Sequence, residues 1–426
     1  EVETVFAWPG HIGTGRGLQG AVEMCNNNGA CRKLVGDVMC PSYRVTRNER
    51  DLVRGRANSL RLALSGQLGE DALTSDEMAE TMQLCVSCKG CRRECPTGVD
   101  MAKMKIEVQA ARARRNGISL RDRLVGFLPR YAPWASRAPF LMNLRDSVPG
   151  MAALSERFSG LSAERTLPAW RRAFRPEGRD DSPDVLIFAD TFNRYFEAEN
   201  LRAAETVLRR LGLRVGHAEP PRGQRALCCG RTFLSVGLAA EARAEMARSL
   251  AIIRPVIESG GYVVGLEPSC IITFRDEAPQ LFDDWTEEMG SRVLLLEEYL
   301  ALRLPDLNAR LGPVSAERAL VHGHCHQKAF NAFGPVTRIL QQIPGLKVET
   351  IASSCCGMAG AFGYQAETIE ISKKMAELSL LPKVREAGPD TVIVADGTSC
   401  RHQILDGSGR QAVHVASLLA ESLDAA

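Results

Sequence analysis

The chain has 426 residues, of which 45% are hydrophobic and 24% charged, and a formal net charge of +2. That length and composition describe a globular protein of two to four domains at about 100–200 residues each. The lack of any run of about 18 apolar residues excludes a membrane-spanning helix. Fourteen cysteines in so long a chain also exclude a small disulfide scaffold. They stand in metal-type runs and adjacent pairs, so they read as thiol ligands in a reducing, cytoplasmic compartment. The chain starts at Glu1 without a basic-then-apolar leader, as expected of a piece of something longer.

Residues 1–111 read as an α-helical, ferredoxin-like domain with two clusters. Cys25 and Cys31 precede Cys40-Pro41, and the second run, Cys85 to Pro96, has the spacing C-x2-C-x2-C-x3-C-P. In that spacing three thiolates wrap one iron-sulfur cubane, while the cysteine before proline reaches a different cluster. Structural zinc pairs two C-x2-C knuckles at a distance and needs no such run. Exchange of the last cysteines gives one complete set, Cys85, Cys88, Cys91 and Cys40, expected to hold [4Fe-4S]. The other set, Cys25, Cys31 and Cys95, has Asn28 where a middle cysteine would stand. It is expected to hold [3Fe-4S], or a [4Fe-4S] whose last ligand is Asn28, Asp37, His11 or water. Residues 49–65, 71–84 and 100–115 carry helical patterns. Arg54, Arg56 and Arg61 lie where they could serve cluster sulfides or a partner, or form a solvated face.

Residues 112–182 read as a basic connector. From Arg112 to Arg179 there are fourteen arginines and no lysine against five acidic residues, and six prolines break the stretch into short pieces. Trp134, Phe140, Phe158, Trp170 and Phe174 stand among the arginines. Packing against another domain or subunit, where Trp and Arg are favoured anchors, ranks ahead of an anionic membrane surface. Nucleic acid ranks last and is not expected as a partner, because no recognised module is present. The expected place is the cytoplasm, with peripheral contact at the inner face of the membrane.

Residues 183–312 and 313–426 read as a duplicated α/β domain. The first half runs strand 185–189, helix 197–211, strand 213–217, Cys228-Cys229-Gly230, helix 239–257, strand 262–266, then Glu267-Pro268-Ser269-Cys270. The second runs strand 319–321, His322-Gly323-His324-Cys325-His326, strand 346–351, Cys355-Cys356-Gly357, helix 366–381, strand 391–395, then Asp396 to Cys400. Asp190 to Cys325, Cys228 to Cys355 and Cys270 to Cys400 are offsets of 135, 127 and 130, as a gene-level duplication leaves. Open α/β sheets place ligand sites after strand ends, and the cysteines fall there. The second half offers Cys325, Cys355, Cys356 and Cys400. The first offers Cys228, Cys229 and Cys270, with Asp190 set against Cys325. His322, His324 and His326 alternate, so an extended strand would turn them to one face. His324 and His326 are candidates for metal ligation or proton transfer, ahead of His322; His217 and His414 read as structural.

Two iron-sulfur runs followed by two Cys-Cys-Gly repeats resemble the cysteine-rich (CCG) redox family. That family includes the glycolate oxidase iron-sulfur subunit and the corresponding subunits of anaerobic glycerol-3-phosphate dehydrogenase and heterodisulfide reductase. Glu23-Met24-Cys25, Met39-Cys40-Pro41-Ser42-Tyr43, Arg54-Gly55-Arg56-Ala57-Asn58 and Glu267-Pro268-Ser269-Cys270 look more closely like the C-terminal half of FAD-linked D-2-hydroxy acid dehydrogenases. These are the D-2-hydroxyglutarate and D-lactate types. The resemblance implies an α+β, multidomain electron-transfer half. Its FAD domain would lie elsewhere in a longer chain or in a partner protein, and its acceptor would be quinone or another electron carrier. It also implies a non-cubane iron-sulfur cluster or a metal ion at Cys325, Cys355, Cys356 and Cys400, with help from the first repeat. The alternative function is a stand-alone, heterodisulfide-reductase-like enzyme acting on a disulfide or small substrate, and a third is a scaffold with structural metal.

Overall fold

The computed structural model describes residues 3–8, 17–36, 38–176 and 183–425; the expected roles of His11 and Asp37 lie outside the described residues. The fold is α+β. Its N-terminal part is built of short helices because cysteine loops interrupt each apolar period. Gly17–Glu23, Pro41–Thr46, Val53–Leu64, Asp76–Gln83 and Met101–Asn116 bury Val22, Val53, Leu60, Met82 and Met104 in one core with Cys25, Cys31, Cys40 and Cys91. Helix starts are set by caps. The pattern over 49–65 becomes α-helical only at Val53, after a 3-10 turn headed by the Asn48 side chain. The pattern over 71–84 does so at Asp76, where Ser75 accepts from Met78 N.

Among its described residues the connector folds as five short helices, Leu120–Gly126, Leu128–Ala135, Pro139–Met142, Leu144–Ser147 and Met151–Ser159. Several of its arginines turn inward. Arg165 is buried and donates to Asp406 at 2.8 Å and to the Gly363 carbonyl at 2.7 Å, and Arg121 pairs with Glu367. The connector thus straps the C-terminal half, while Trp134, Phe140 and Phe158 stay exposed on its outer faces. Among the described residues no helix is long and apolar enough to cross a membrane.

The rest of the chain forms two parallel four-stranded sheets. β1 (Val185–Ile187), β2 (Val215–His217), β3 (Tyr262–Gly265) and β4 (Val293–Leu295) run in the order β2-β1-β3-β4. β5 (Arg318–Val321), β6 (Lys347–Thr350), β7 (Thr391–Val394) and β8 (Ala412–Val413) repeat it as β6-β5-β7-β8. Central strands are continuous apolar runs because helices cover both faces. The registers coincide, with Ile187 opposite Val264 and Val321 opposite Val394.

The halves pack reciprocally. Helix Ala198–Arg210 of the first lies on Val415–Asp424 of the second, and Gly334–Leu340 of the second on Leu296–Arg303 of the first, as across an approximate two-fold axis. Leu201, Leu208, Leu300, Leu340 and Leu419 share the resulting core, each side chain stabilising it by about 1.5–3 kcal/mol.

Candidate functional site

All fourteen cysteines are free thiols. In the ferredoxin run, Ser87 and Lys89 take left-handed backbone angles (φ 49° and 59°) that turn the chain between successive thiols. Cys40 has thiols of both runs as neighbours, Cys31 and Cys85 acting on it and Cys88 and Cys91 feeling it in turn. Burial raises Cys40, Cys88 and Cys91, Cys40 to about 12, and nearby charges, foremost Cys31 on Cys40, Cys325 on Cys88 and Asp100 on Cys91, raise them further. Two features seat Cys40 there. Glu94 accepts from Val38 N at 2.7 Å and Met39 N at 3.0 Å, and a Cβ on Gly90 would stand 2.9 Å from Met39 N. Sequence reasoning missed Glu94, whose only signal is a carboxylate inside a cysteine run.

Arg56 is 1% exposed, donates to Thr81 O at 3.1 Å and Ser42 Oγ at 3.3 Å, and lowers Cys40 by its charge. Arg61 donates to Cys25 O at 2.8 Å and Arg54 to Asn27 O at 3.3 Å, so all three arginines serve the cysteine loops. Cys31 is raised by burial and has Cys25 as a charged neighbour. Asn28 is exposed and turned into its own loop, accepting from Ala30 N at 2.8 Å. Cys95 is half-buried against the same core, its Sγ 3.4 Å from Thr97 Oγ1.

In the second repeat the three histidines do not share a strand face. β5 ends at Val321, and His324 caps the helix Cys325–Ala329, its Nδ1 accepting from His326 N at 3.1 Å. A helix start at this point sends the side chains apart. His326 Nε2 meets Ser87 O at 3.1 Å, tying this helix to the ferredoxin run. His322, ranked behind the other two by sequence, is the one among the thiols: its ring nitrogen and the Cys356 and Cys400 sulfurs lie within 4.8 Å of one another. The four thiols are close enough to perturb one another: Cys355 draws Cys325 down to about 6, and Cys355, Cys400 and His322 lower Cys356. Gly357 is required by this turn, with φ +87° and Ser372 O only 2.5 Å from where a Cβ would stand. Buried thiolates beside an imidazole fit a thiophilic metal.

The first repeat has the same turn. Gly230 (φ +81°) lies against Ala242 O, and its N–H reaches Cys228 Sγ at 3.4 Å, as Gly357 N–H reaches Cys355 Sγ at 3.4 Å. The pairing of Asp190 with Cys325 is corrected by one residue. Asp190 is the cap of helix Thr191–Tyr195, accepting from Phe192 N at 2.9 Å, so it corresponds to the cap His324. Thr191, a neighbour of Cys228 that lowers it, stands in the place of Cys325. Here all three thiols are raised, Cys228 by the neighbouring Cys229 thiol together with burial. Cys270 is lowered by its bond from Cys229, but burial and the Asp190 and Glu267 charges prevail and bring it to about 12.

The modules meet at these sites. Cys88 and Cys325 are charged neighbours within one apolar cluster that includes Val38, Val86, Cys355, Cys356 and Cys400. Beside them Lys89 and Lys103, both buried, reach Asp276 at 2.5 and 2.7 Å, and Lys89 also meets Glu277. A cavity of about 1000 Å³ opens where the ferredoxin run, both repeats and the connector converge, with Ser87, Arg231, His324, Cys325 and Cys356 in its lining.

Comparison with known proteins agrees with this layout. Residues 21–99 match the 4Fe-4S dicluster domain family and residues 319–405 the Cysteine-rich domain family. D-2-hydroxyglutarate dehydrogenase of Pseudomonas putida is 29% identical over 92% of this chain and 42% of its own length. A subunit of the anaerobic glycerol-3-phosphate dehydrogenase of Escherichia coli is 24% identical over 76% of this chain and 81% of its own. Glycolate oxidase iron-sulfur subunit of Escherichia coli is 23% identical over 90% and 91%. The chain therefore spans about two fifths of the length of the D-2-hydroxyglutarate dehydrogenases it matches.

Proposed function

We propose that this chain, an iron-sulfur and cysteine-rich module of the kind carried by D-2-hydroxyglutarate dehydrogenases and related iron-sulfur proteins, is the electron-transfer part of an oxidoreductase. Its donor would be FAD in another domain or subunit, reduced by a D-2-hydroxy acid. Its acceptor would be quinone or a similar small carrier. The observation that carries this reading is the single apolar cluster joining Cys88 to Cys325, which supports a path from the ferredoxin run to the second repeat.

In this reading Cys40, Cys85, Cys88 and Cys91 hold one cluster, Cys25, Cys31 and Cys95 a second, and the second repeat a further centre. Bound iron-sulfur clusters supply one-electron steps, so a two-electron flavin donor can unload in turn. The chain's own residues hold and screen these sites. Glu94 and Gly90 keep Cys40 against the ferredoxin run. Arg56 offsets negative charge at Cys40. Val38, Val86 and Met358 share the buried apolar cluster of Cys88 and Cys325. His324, its Nδ1 occupied as a helix cap, keeps its proton on Nε2 and can donate a hydrogen bond to an acceptor in the cavity.

The test is anaerobic. The chain joined to its flavin-binding half, given D-2-hydroxyglutarate, should lose its visible iron-sulfur absorption and regain it with a quinone. Failure to bleach, together with reoxidation of dithionite-reduced protein by a disulfide, would favour a stand-alone reductase instead.

A further inference from the structure

Matched by their backbone hydrogen bonds and helix starts, the two repeats differ at two donor positions of one site. Phe188 N donates to Val264 O at 2.7 Å as His322 N donates to Val394 O at 2.8 Å, so Phe188 stands where His322 stands. Three residues on, Thr191 and Cys325 each open the helix behind the capping side chain. The Cys-Cys-Gly turns are alike, and Cys270 and Cys400 are each the third residue of their helix. The first repeat thus keeps the three thiols the turn and helix position, and lacks an imidazole and a thiolate together. Paired presence in one copy and paired absence in the other mark two groups with a common partner.

The surroundings of His322 name that partner. Its ring is buried, with Nδ1 2.8 Å from Ser353 Oγ. Ser353 Oγ lies 3.4 Å from Ile351 O, to which its hydroxyl donates, so it is placed to accept an imidazole proton on Nδ1, the tautomer that leaves the Nε2 lone pair for a metal. Nε2 is buried without a hydrogen-bond partner and lies among the Cys356 and Cys400 sulfurs. An oxygen that holds the proton of one ring nitrogen and frees the other is how metal-binding histidines are oriented. Phe188, by contrast, packs edge-on against Phe274 at 5.1 Å and leaves no polar atom to satisfy.

We propose that His322 Nε2 is a ligand of one iron centre in the second repeat, together with Cys325, Cys355, Cys356 and Cys400, and that the first repeat holds no such centre. This rests on the reading that the second-repeat cysteines bind metal. Five donors exceed the four of a closed tetrahedral zinc site and suit a centre of more than one iron with mixed imidazole and thiolate ligation.

The test uses the whole chain, made anaerobically with 57Fe, and reads metal content and Mössbauer spectrum, which detects every iron whatever its spin. His322→Phe, which copies the first repeat, should lose the second-repeat iron while the N-terminal cluster components persist. His322→Cys should keep the iron but turn the nitrogen-ligated component into an all-sulfur one. Should the phenylalanine variant fail to fold, the cysteine variant decides alone. Spectra of the folded variants identical to wild type would overturn the proposal, as would zinc at this site with iron confined to the N-terminal clusters. Dithionite reduction of those clusters reports separately on the proposed function, so either reading can fail without the other.

Discussion

Cys88 and Cys325 lie side by side in one apolar cluster although 237 residues separate them in the chain. A centre held by Cys88 would therefore end next to the second repeat. Cys325→Ser should leave dithionite reduction of the N-terminal clusters intact and slow their reoxidation by acceptor by roughly tenfold or more. Stopped-flow absorbance measures both; equal reoxidation rates would remove the second repeat from the path.

Glu94 seats Cys40 through the Val38 and Met39 amides. Glu94→Ala frees two amides and the loop that carries the thiol. Retention of the first cluster against a chelator should fall by about 10–100-fold, followed by electron paramagnetic resonance, with the second cluster's signal unaffected.

Spacing assigns Cys95 to the set of Cys25 and Cys31, across from its own run. Cys95→Ala should lose the second cluster's signal and spare the first. Loss of the first signal alone would show that the last ligands are not exchanged.

Asp276 is held well below the usual carboxylate range: burial works against its charge, but Lys89, Lys103 and Arg92 prevail. Asp276→Asn leaves two buried ammonium groups short of a partner. Breaking a buried pair in this way costs about 3–5 kcal/mol, to be read as a lower midpoint in denaturant unfolding, with the ferredoxin part coming loose from the first repeat.

Glu197 of the first repeat takes Arg401 Nε at 2.9 Å and the Thr398 hydroxyl at 2.6 Å from the second. Burial alone would raise Glu197, yet Arg401 brings it down to about 2 from 4.5. A depressed carboxylate stabilises the fold above its unfolded value and loses that contribution as pH falls through its folded one. The stability difference between wild type and Glu197→Gln should be constant above about pH 5 and shrink toward pH 2. Its limit is about 3 kcal/mol at 1.36 kcal/mol per unit. A difference that does not change with pH would show that the pair is not ionised as described.

Much of the fold is legible in the sequence because spacing carries it. The Cys-Pro endings and the repeated Cys-Cys-Gly announce two cluster loops and a duplication, and the apolar runs announce the central strands. β4 and β8 are not visible there: the apolar run of β4 passes straight into the helix Leu296–Arg303, and β8 is two residues long. Landmark offsets of 135, 127 and 130 cannot resolve a shift of one residue, so they match Asp190 to Cys325, and only the two helix caps correct the pairing. Alternation puts the three histidines on one face because it assumes a strand that in fact ends at Val321, and so does not single out His322. Lys89 and Asp276 meet from 187 residues apart, a distance across which no local pattern speaks.

The most direct test of electron transfer through this chain is an anaerobic reductive titration of the whole protein with dithionite, followed by visible absorption and electron paramagnetic resonance. The predicted result is stepwise bleaching of iron-sulfur absorption and the appearance of more than one cluster signal, reversed on adding an electron acceptor. A colourless, zinc-loaded protein whose spectra do not change on reduction would contradict it.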